Sequence, residues 1–288
     1  MNSTDLRKHV TDQIIEALIF GTIPWRKPWT NLMAQNAVSK NRYSGINVLL
    51  LQLAAENNNF SSQVWASFKQ WNDLGSARIK KGSKGTQIVF YKTLTRKEIV
   101  RGEEVKTEIP LLRHYTVFNL DQVEHAPEHL KTPETPTEPE WERAEESVFA
   151  TDADIRFGGN KASYIRPIGG DFPDHVDGDF ITIPDRSQFE SDAGYFGTLW
   201  HELAHWSEVR RGWTGSYAMG ELIAEMTSCF IAAELGVPQS DDLRNHAAYL
   251  ESWLGSMEND PRYIFQAAAQ ASKAADFILD FSRQPALV

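Results

Sequence analysis

The chain has 288 residues and a mass of 32.6 kDa, a length that favours two domains over a single hydrophobic core. Its composition, with 41% hydrophobic and 24% charged residues, is that of a soluble globular protein, and no apolar run reaches the length of a membrane span. We therefore expect a cytoplasmic protein with no membrane partner, and the single Cys229 excludes an internal disulfide framework.

Charge divides the chain into two unlike halves, although the whole carries a net charge of −10. Residues 1–125 contain 17 basic and 11 acidic side chains, a net charge of +6. Residues 126–288 contain 12 basic and 28 acidic side chains, a net charge of −16. This asymmetry is expected if only the first half meets a polyanion such as nucleic acid.

The first half is predicted to mix helices and strands. Apolar residues at helical spacing include Val10, Ile14 and Leu18, and Gly21 ends that helix. Helices are then expected at INVLLLQLAAENN and QVWASFKQWNDLG, strands at TQIVFYKTLTR and LLRHYTVFNL, and a hairpin or loop at RKEIVRGEEVKTEIP. We expect an α+β domain over residues 1–125.

Aromatic and basic side chains alternate in this half, for example in GTIPWRKPWTNL and RIKKGSKGTQIVFY. Single strands expose base faces that stack on aromatic rings while cations follow the phosphates, so the pattern indicates binding of single-stranded DNA. The candidate contacts are Trp25, Arg26, Trp29, Arg42, Tyr43, Lys80, Lys81 and Lys84. The alternative is that aromatics at helical spacing, such as Trp65, Phe68 and Trp71, belong to the core and that KKGSKG is a solvated turn.

A segment rich in proline and glutamate, EHAPEHLKTPETPTEPEWE, follows at residues 124–142. It is too polar to form a core, so we expect a semi-extended linker over residues 126–140 and a second domain over residues 141–288. That domain is predicted to begin with a helix at WERAEESVFATD and short strands at IRFG, SYIRPI and DFITIP. Four helices are predicted to follow this small sheet.

Residues 198–206 read TLWHELAHW and contain the pattern HExxH. Positions i and i+4 of a helix lie on one face, so His201 and His205 can bind one metal ion while Glu202 lies at its flank. The alternative is that both histidines are merely solvated or lie in the core. A chance match to HExxH is rare in a chain with 8 His, and this rarity disfavours the alternative. Zn²⁺, or another divalent ion such as Mn²⁺, would support peptide hydrolysis with Glu202 as general base.

A catalytic zinc site needs a third protein ligand. The extended form HExxHxxGxxH is excluded, because Glu208 and Arg211 occupy the positions of its glycine and its third histidine. The next helix contains GELIAEM, in which Glu221 and Glu225 lie one turn apart. Either can be the ligand while the other bonds a ligand histidine, and we favour Glu221 as the metal ligand.

A tetrahedral oxyanion also requires a hydrogen-bond donor. Tyr217 lies one turn before Glu221, and His246 lies in the segment NHAAYLESW. Both are candidate catalytic donors, and a purely structural role is the alternative for each.

Together these segments resemble a known family. The stretches GTIPWRKPW, YSGINVLLL, FKQWNDLG and LLRHYTVFNLDQ are similar to the N-terminal single-stranded-DNA-binding domain of ArdC-type antirestriction proteins. The stretches TLWHELAHW, GELIAEMTSCFIAAELGV and NHAAYLESWL are similar to the zincin-like metallopeptidase domain that follows it in that family. The resemblance implies a protein of mobile elements that protects incoming DNA from host restriction. It also implies metal ligands at His201, His205 and a glutamate of ELIAE, with Glu202 as the base.

Three functions are compatible with these patterns. The first is an antirestriction protein that binds single-stranded DNA without sequence preference and carries a zinc-peptidase site for an unknown protein substrate. The second is a DNA-binding protection module whose metal is structural. The third is an ordinary zinc peptidase whose basic domain recruits an acidic protein. A Glu202→Gln variant distinguishes the second, and the salt dependence of binding distinguishes the third.

Overall fold

The computed structural model describes residues 3–26, 33–100, 103–131, 141–167, 178–239 and 244–283. The chain forms two compact units, and each combines helices with strands, which confirms the predicted α+β class. One unit comprises Met1–Ile19 with Ala34–Pro133, and the other comprises Phe20–Met33 with Glu134–Val288. Within the described ranges, no helix combines the length and the apolar character needed to cross a membrane.

The first unit places its longest strands in one sheet. Its helices are α1 (Ser3–Ile19), α2 (Ile46–Asn57), α3 (Phe68–Asp73) and α4 (Glu128–Lys131). Its strands are β1 (Gln35–Asn36), β2 (Val64–Ser67), β3 (Arg78–Ile79), β4 (Thr86–Val100), β5 (Glu103–Asn119) and β6 (Val123–Glu124). The larger sheet has the order β1, β2, β5, β4, and β3 pairs separately with β6.

Strands β4 and β5 form a long antiparallel hairpin. Its register runs from the pair of Thr86 with Val117 to the pair of Val100 with Glu103. The charged stretch at residues 96–110, predicted as a hairpin or a loop, therefore continues both strands. Because side chains of a strand alternate between faces, this register decides which residues of the two strands share a surface.

Among the described residues of the first unit, buried side chains cluster around Trp71 and around Trp65. The indole N–H of Trp71 donates to the carbonyl of Phe118 at 3.0 Å. Both tryptophans are therefore core residues, as the alternative interpretation expected, although Trp65 lies in strand β2 and the helix predicted at QVWASFKQWNDLG begins only at Phe68. Phe68 is instead 58% exposed, because it opens α3 directly after the capping hydroxyl of Ser67.

The second unit consists of a small sheet and five helices among its described residues. The strands are β7 (Asp154–Phe157), β8 (Ser163–Ile165) and β9 (Phe180–Ile183). The helices are α5 (Trp141–Phe149), α6 (Asp192–Arg210), α7 (Tyr217–Leu235), α8 (Arg244–Asn259) and α9 (Tyr263–Arg283). The central strand β9 runs parallel to β7 and antiparallel to β8, so β8 lies at an edge of this sheet.

The ends of α6 and α7 follow from local sequence. The hydroxyls of Ser191 and Ser216 accept the N–H of the third residue along and so cap the two helices. Gly212, just after α6, and Gly236, just after α7, have φ of 62° and 74°, a left-handed conformation that favours glycine. The chain can therefore reverse between α6 and α7, which pack against each other along their buried faces.

Strand β8 is attached to α6 through Asp179. Arg210 of α6 donates two hydrogen bonds to this carboxylate, at 3.0 and 2.8 Å, and the hydroxyl of Tyr164 donates a third at 2.8 Å. The Arg210 guanidinium also stacks on the ring of Trp206, 3.6 Å from its centre. Burial raises the pKa of Asp179, but hydrogen bonds from Arg210 and Tyr164 lower it by more, so the carboxylate stays ionised.

The division of the chain differs from the predicted boundaries in two places. Residues 20–26 belong to the second unit, although they lie inside the predicted first domain. The predicted linker, 126–140, begins with folded residues, because Ala126 and the α4 residue Leu130 are buried in the core of the first unit. The high proline and glutamate content of this segment predicted a linker and gave no sign that these two side chains are buried. Residues 132–140 lie outside the described residues.

Candidate metal centre

Helices α6 and α7 bring three potential metal ligands together. The Nε2 atoms of His201 and His205 are 3.3 Å apart, and each lies 3.5 Å from a carboxylate oxygen of Glu221. Within the described chain, ligand atoms of these three residues all lie within 4.8 Å of one another. Two imidazoles and one carboxylate suit Zn²⁺ and other divalent first-row metals, so these residues fit a divalent cation.

The two helices can converge here because a glycine stands at their contact. His201 and His205 lie one turn apart on α6, and Glu221 begins the second turn of α7. A Cβ on the preceding Gly220 would lie 3.0 Å from Oε1 of Glu208, a buried residue of α6. The missing side chain therefore lets the ligand-bearing turn of α7 approach α6 closely.

Each histidine has a second carboxylate behind it. Glu225 Oε2 lies 3.6 Å from Nδ1 of His201, and Glu208 Oε1 lies 3.1 Å from Nδ1 of His205. Glu208 is 1% exposed and pairs through its other oxygen with Arg166. A carboxylate at Nδ1 fixes the orientation of the ring and directs Nε2 towards the metal. The structure thus places Glu221 with both imidazoles and Glu225 behind one of them.

The structure gives Glu208 a role that the sequence did not predict. In the sequence it stands out only as a replacement for glycine in the extended metal motif. Its place three residues after His205 puts both side chains on one helical face, and this spacing is a signal that could have identified it.

The centre has a strongly negative environment. Burial lowers the pKa of His201, but the close carboxylates of Glu221 and Glu225 and the nearby charge of Glu202 raise it by more, to about 10. Burial likewise raises the pKa of Glu221, but its contacts with His201 and His205 lower it by more. Carboxylates that favour a protonated imidazole also attract a divalent cation to the same nitrogen atoms.

The candidate base and the candidate donor border this centre. The Glu202 carboxylate accepts a hydrogen bond from the backbone N–H of Tyr164 in β8, at 2.7 Å. Tyr217 is 71% exposed at the start of α7, and its hydroxyl accepts from that of Tyr249 at 3.1 Å. That contact, burial and a hydrogen bond to Glu221 all raise the pKa of Tyr217, so at neutral pH its hydroxyl keeps the proton that a donor needs.

Trp25 and Arg26, the described candidates of the first segment predicted to bind DNA, belong to the second unit. Trp25 is 1% exposed and packs edge-on against Trp253, with ring centres 6.3 Å apart. The prediction of a base-stacking role for Trp25 is therefore wrong, because burial removes its ring from any base. Arg26 lies beside a carboxylate of α7. Trp29 and the side chain of His246 lie outside the described residues.

The other predicted DNA contacts lie in the first unit. Lys80, Lys81 and Lys84 are exposed on the turn that precedes β4. Arg42 is exposed as well. Tyr43 is half-buried and packs against the core cluster around Trp65, so less of its ring can meet a base. The structure therefore groups the lysines in one turn and leaves Tyr43 partly in the core.

Two exposed aromatic residues share one face of the β4–β5 hairpin. Phe90 and Tyr115 are 51% and 48% exposed, and their rings meet edge-to-face with centres 6.1 Å apart. Arg113, which is also exposed, is the cross-strand partner of Phe90. The sequence contained all three residues, but only the strand register shows that they form one surface.

Two family models match the chain. One, described as the N-terminal domain of anti-restriction factor ArdC, matches residues 4–118. The other, described as a zincin-like metallopeptidase, matches residues 142–270 and contains His201, His205 and Glu221. A zincin-like domain indicates a divalent metal, in agreement with this donor set.

Two curated proteins are similar over nearly the whole chain. The uncharacterized protein y4eC of Sinorhizobium fredii is 34% identical over 96% of this chain and 92% of its own length. A DNA primase TraC of Escherichia coli is also 34% identical over 96% of this chain. The chain spans only 27% of the length of that primase.

Solved structures extend this likeness to the fold. The metal-free crystal structure of antirestriction protein ArdC from plasmid R388 is 37% identical, with a TM-score of 0.79 over 97% of this chain and 98% of that chain. The Mn(II)-bound structure of the same protein is 36% identical, with a TM-score of 0.76 over 96% and 98% of the two chains. Since likeness at this identity covers both chains almost completely, and both domains match in the same order, the chain belongs to the ArdC family of antirestriction proteins.

Proposed function

We propose that this protein protects incoming mobile-element DNA by binding single strands through its first unit and that its second unit hydrolyses a peptide bond in a protein substrate. The observation that carries the second activity is the convergence of His201, His205 and Glu221 beside Glu202. The basic character of the first half and its match to the ArdC N-terminal domain support the first activity.

Different residues around the metal centre would carry out different steps of hydrolysis. A divalent cation held by the three ligands would supply Lewis acidity towards a peptide carbonyl. Glu202 takes a proton from the attacking water and returns it to the leaving amine. The hydroxyl of Tyr217 is a donor for the developing oxyanion, since it lies next to the ligand Glu221 and retains its proton.

Zinc is the proposed native metal, because two histidines and one glutamate are its frequent donor set in peptidases. Manganese is the second candidate, since a relative has been solved with Mn(II) bound. We expect one divalent ion per chain in the purified protein and loss of that ion in His201→Ala. His129→Ala, which changes an exposed histidine of the first unit, should keep full metal content. Metal analysis of the three proteins tests the ligand set, and full occupancy in His201→Ala would refute it.

The proposed DNA surface combines the lysine turn with the hairpin face. Lys80, Lys81 and Lys84 supply charge that follows phosphates, and Phe90 with Tyr115 supplies rings on which bases stack. Because the contacts are to backbone and to base faces, binding should show little sequence preference. Binding should also weaken steeply as the salt concentration rises, because phosphate contacts release counterions. Binding to an acidic protein would not show the same slope of affinity against salt concentration.

We expect Phe90→Ala and Tyr115→Ala each to weaken binding of a single-stranded oligonucleotide by about 1–3 kcal/mol, the range for loss of one stacked base. Phe149→Ala removes a similarly exposed ring from the acidic unit and serves as the control. Fluorescence anisotropy with a labelled oligonucleotide measures the effect. Wild-type affinity in both hairpin variants would show that bases stack elsewhere on the protein.

The function as a whole is tested by transfer of unmodified DNA into a restricting host. More transconjugants should be obtained when the restricting cells express the wild-type protein than when they lack it. The double variant Phe90→Ala with Tyr115→Ala should lose most of this gain if single-strand binding is the means of protection. Equal transfer with and without the wild-type protein would refute the antirestriction function.

A further inference from the structure

Arg26 is held in place by the packing of the residue before it. Residues 20–26 belong to the second unit, and the ring of Trp25 is buried against Trp253 of α8. This anchor brings the chain to the side of α7, so the position of Arg26 is determined by the core of the second unit rather than by a surface loop.

The Arg26 side chain completes a row of charged groups that ends at a metal ligand. Its Nε lies 3.5 Å from Glu225 Oε1, and the side chains of Arg26 and Glu225 are only 13% and 12% exposed. The other oxygen of Glu225 faces Nδ1 of His201 at 3.6 Å. One carboxylate therefore lies between a guanidinium and a metal-ligating imidazole, with a different oxygen turned to each.

Arg26 also lies beside the face of α7 that carries the metal ligand. Glu221, Glu225 and Cys229 follow one another at single-turn intervals, so they share one helical face. Burial raises the pKa of the Cys229 thiol, one turn beyond Glu225, and the guanidinium charge of Arg26 also acts on this thiol and lowers its pKa by a smaller amount. Arg26 thus lies on the side of α7 that carries the ligand Glu221.

We infer that Arg26 is a positioning residue for the metal centre: it fixes the rotation of the Glu225 carboxylate, which in turn fixes the ring of His201. The inference rests on the proposed metal site. A carboxylate with no cation beside it can turn away from Nδ1, and in a poorly solvated site that charged contact is stronger than in water. Residue 26 lies inside the match to the ArdC N-terminal domain, so the metal centre depends on a residue outside the peptidase match.

The test compares metal binding by full-length Arg26→Met, Arg26→Lys and wild type. We expect Arg26→Met to bind Zn²⁺ about tenfold more weakly in chelator competition, at the low end for partners of metal ligands. Its Co²⁺ absorption spectrum should also change, because the His201 ring is less well oriented. Arg26→Lys retains the charge and should stay within about threefold of wild type. Arg186→Met, which removes an arginine paired with Glu145 and Asp192, is the control.

A double-mutant cycle shows whether the effect passes through Glu225. In a Glu225→Gln background, Arg26→Met should cause no further loss of metal affinity, whereas additive losses would overturn the inference. Unchanged or tighter metal binding in Arg26→Met would also overturn it. If Arg26→Met does not fold, the same cycle with Arg26→Gln, which removes the charge but keeps a polar side chain, decides the question by the same criterion. A wild-type protein that binds no Zn²⁺ or Co²⁺ would instead refute the metal site on which the inference rests.

Discussion

Glu202→Gln should lose peptide hydrolysis by about 10²–10⁴-fold, the contribution of a positioned general base. Glutamine keeps the size of the side chain and can still accept the hydrogen bond from the Tyr164 N–H, but it cannot take a proton. Because Glu202 is not among the three grouped ligands, metal content should stay within about twofold of wild type. Cleavage of a generic unfolded protein substrate and metal analysis of the same samples measure both effects.

DNA protection by the same variant separates the two activities. Single-strand binding by itself denies a restriction endonuclease its duplex substrate, so we expect Glu202→Gln to bind DNA within about twofold of wild type and to retain protection. Glu258→Gln, an exposed glutamate of α8, is the control for loss of a negative charge. If protection is lost in Glu202→Gln but kept when the hairpin rings are removed, proteolysis is the means of protection.

Glu208→Ala should weaken metal binding by about 10–100-fold, the usual cost of losing the partner of a ligating histidine. Without the carboxylate, Nδ1 of His205 has lost the contact at 3.1 Å that holds the ring. The Arg166 side chain left behind is 55% exposed, so water can solvate it and the fold should tolerate the change. Chelator competition measures the metal affinity, and a thermal melt of metal-stripped protein verifies folding.

Glu208→Gln is the matched variant for this prediction. Its side-chain oxygen can still accept from Nδ1 of His205, although a neutral acceptor binds less strongly than a carboxylate. We therefore expect metal affinity between that of the wild type and that of Glu208→Ala. Wild-type affinity in Glu208→Ala would show that the orientation of His205 depends on other contacts.

The sequence was informative where chemistry follows from local spacing. The i and i+4 positions of His201 and His205 are a property of one helix, and so is the single-turn interval between Glu221 and Glu225. The α+β class could likewise be predicted, because helix and strand periodicities differ within short windows. The pairing of α6 with α7 follows from buried faces whose apolar residues are visible in the sequence.

Properties that depend on contacts distant in sequence could not be predicted. Trp25 resembles an exposed stacking residue because it stands beside Arg26 and Lys27, yet its partner Trp253 lies more than two hundred residues later in the sequence. Phe90 and Tyr115 become one surface only once the register of β4 and β5 is known. Burial of an aromatic ring depends on the whole fold, so local composition carries little information about it.

The discontinuous second unit imposes an order on folding. Trp253 is made more than two hundred residues after Trp25, roughly 10–45 s later at synthesis rates of about 5–20 residues per second. During that interval α1 and the β4–β5 hairpin can already form, but the segment between α1 and β1 has no completed core to enter. Closing this contact joins residues more than two hundred positions apart, and contacts of such sequence separation form slowly. Arg26 can therefore take its fixed place beside α7 only after α8 has been made, later than the helices that carry His201, His205 and Glu221.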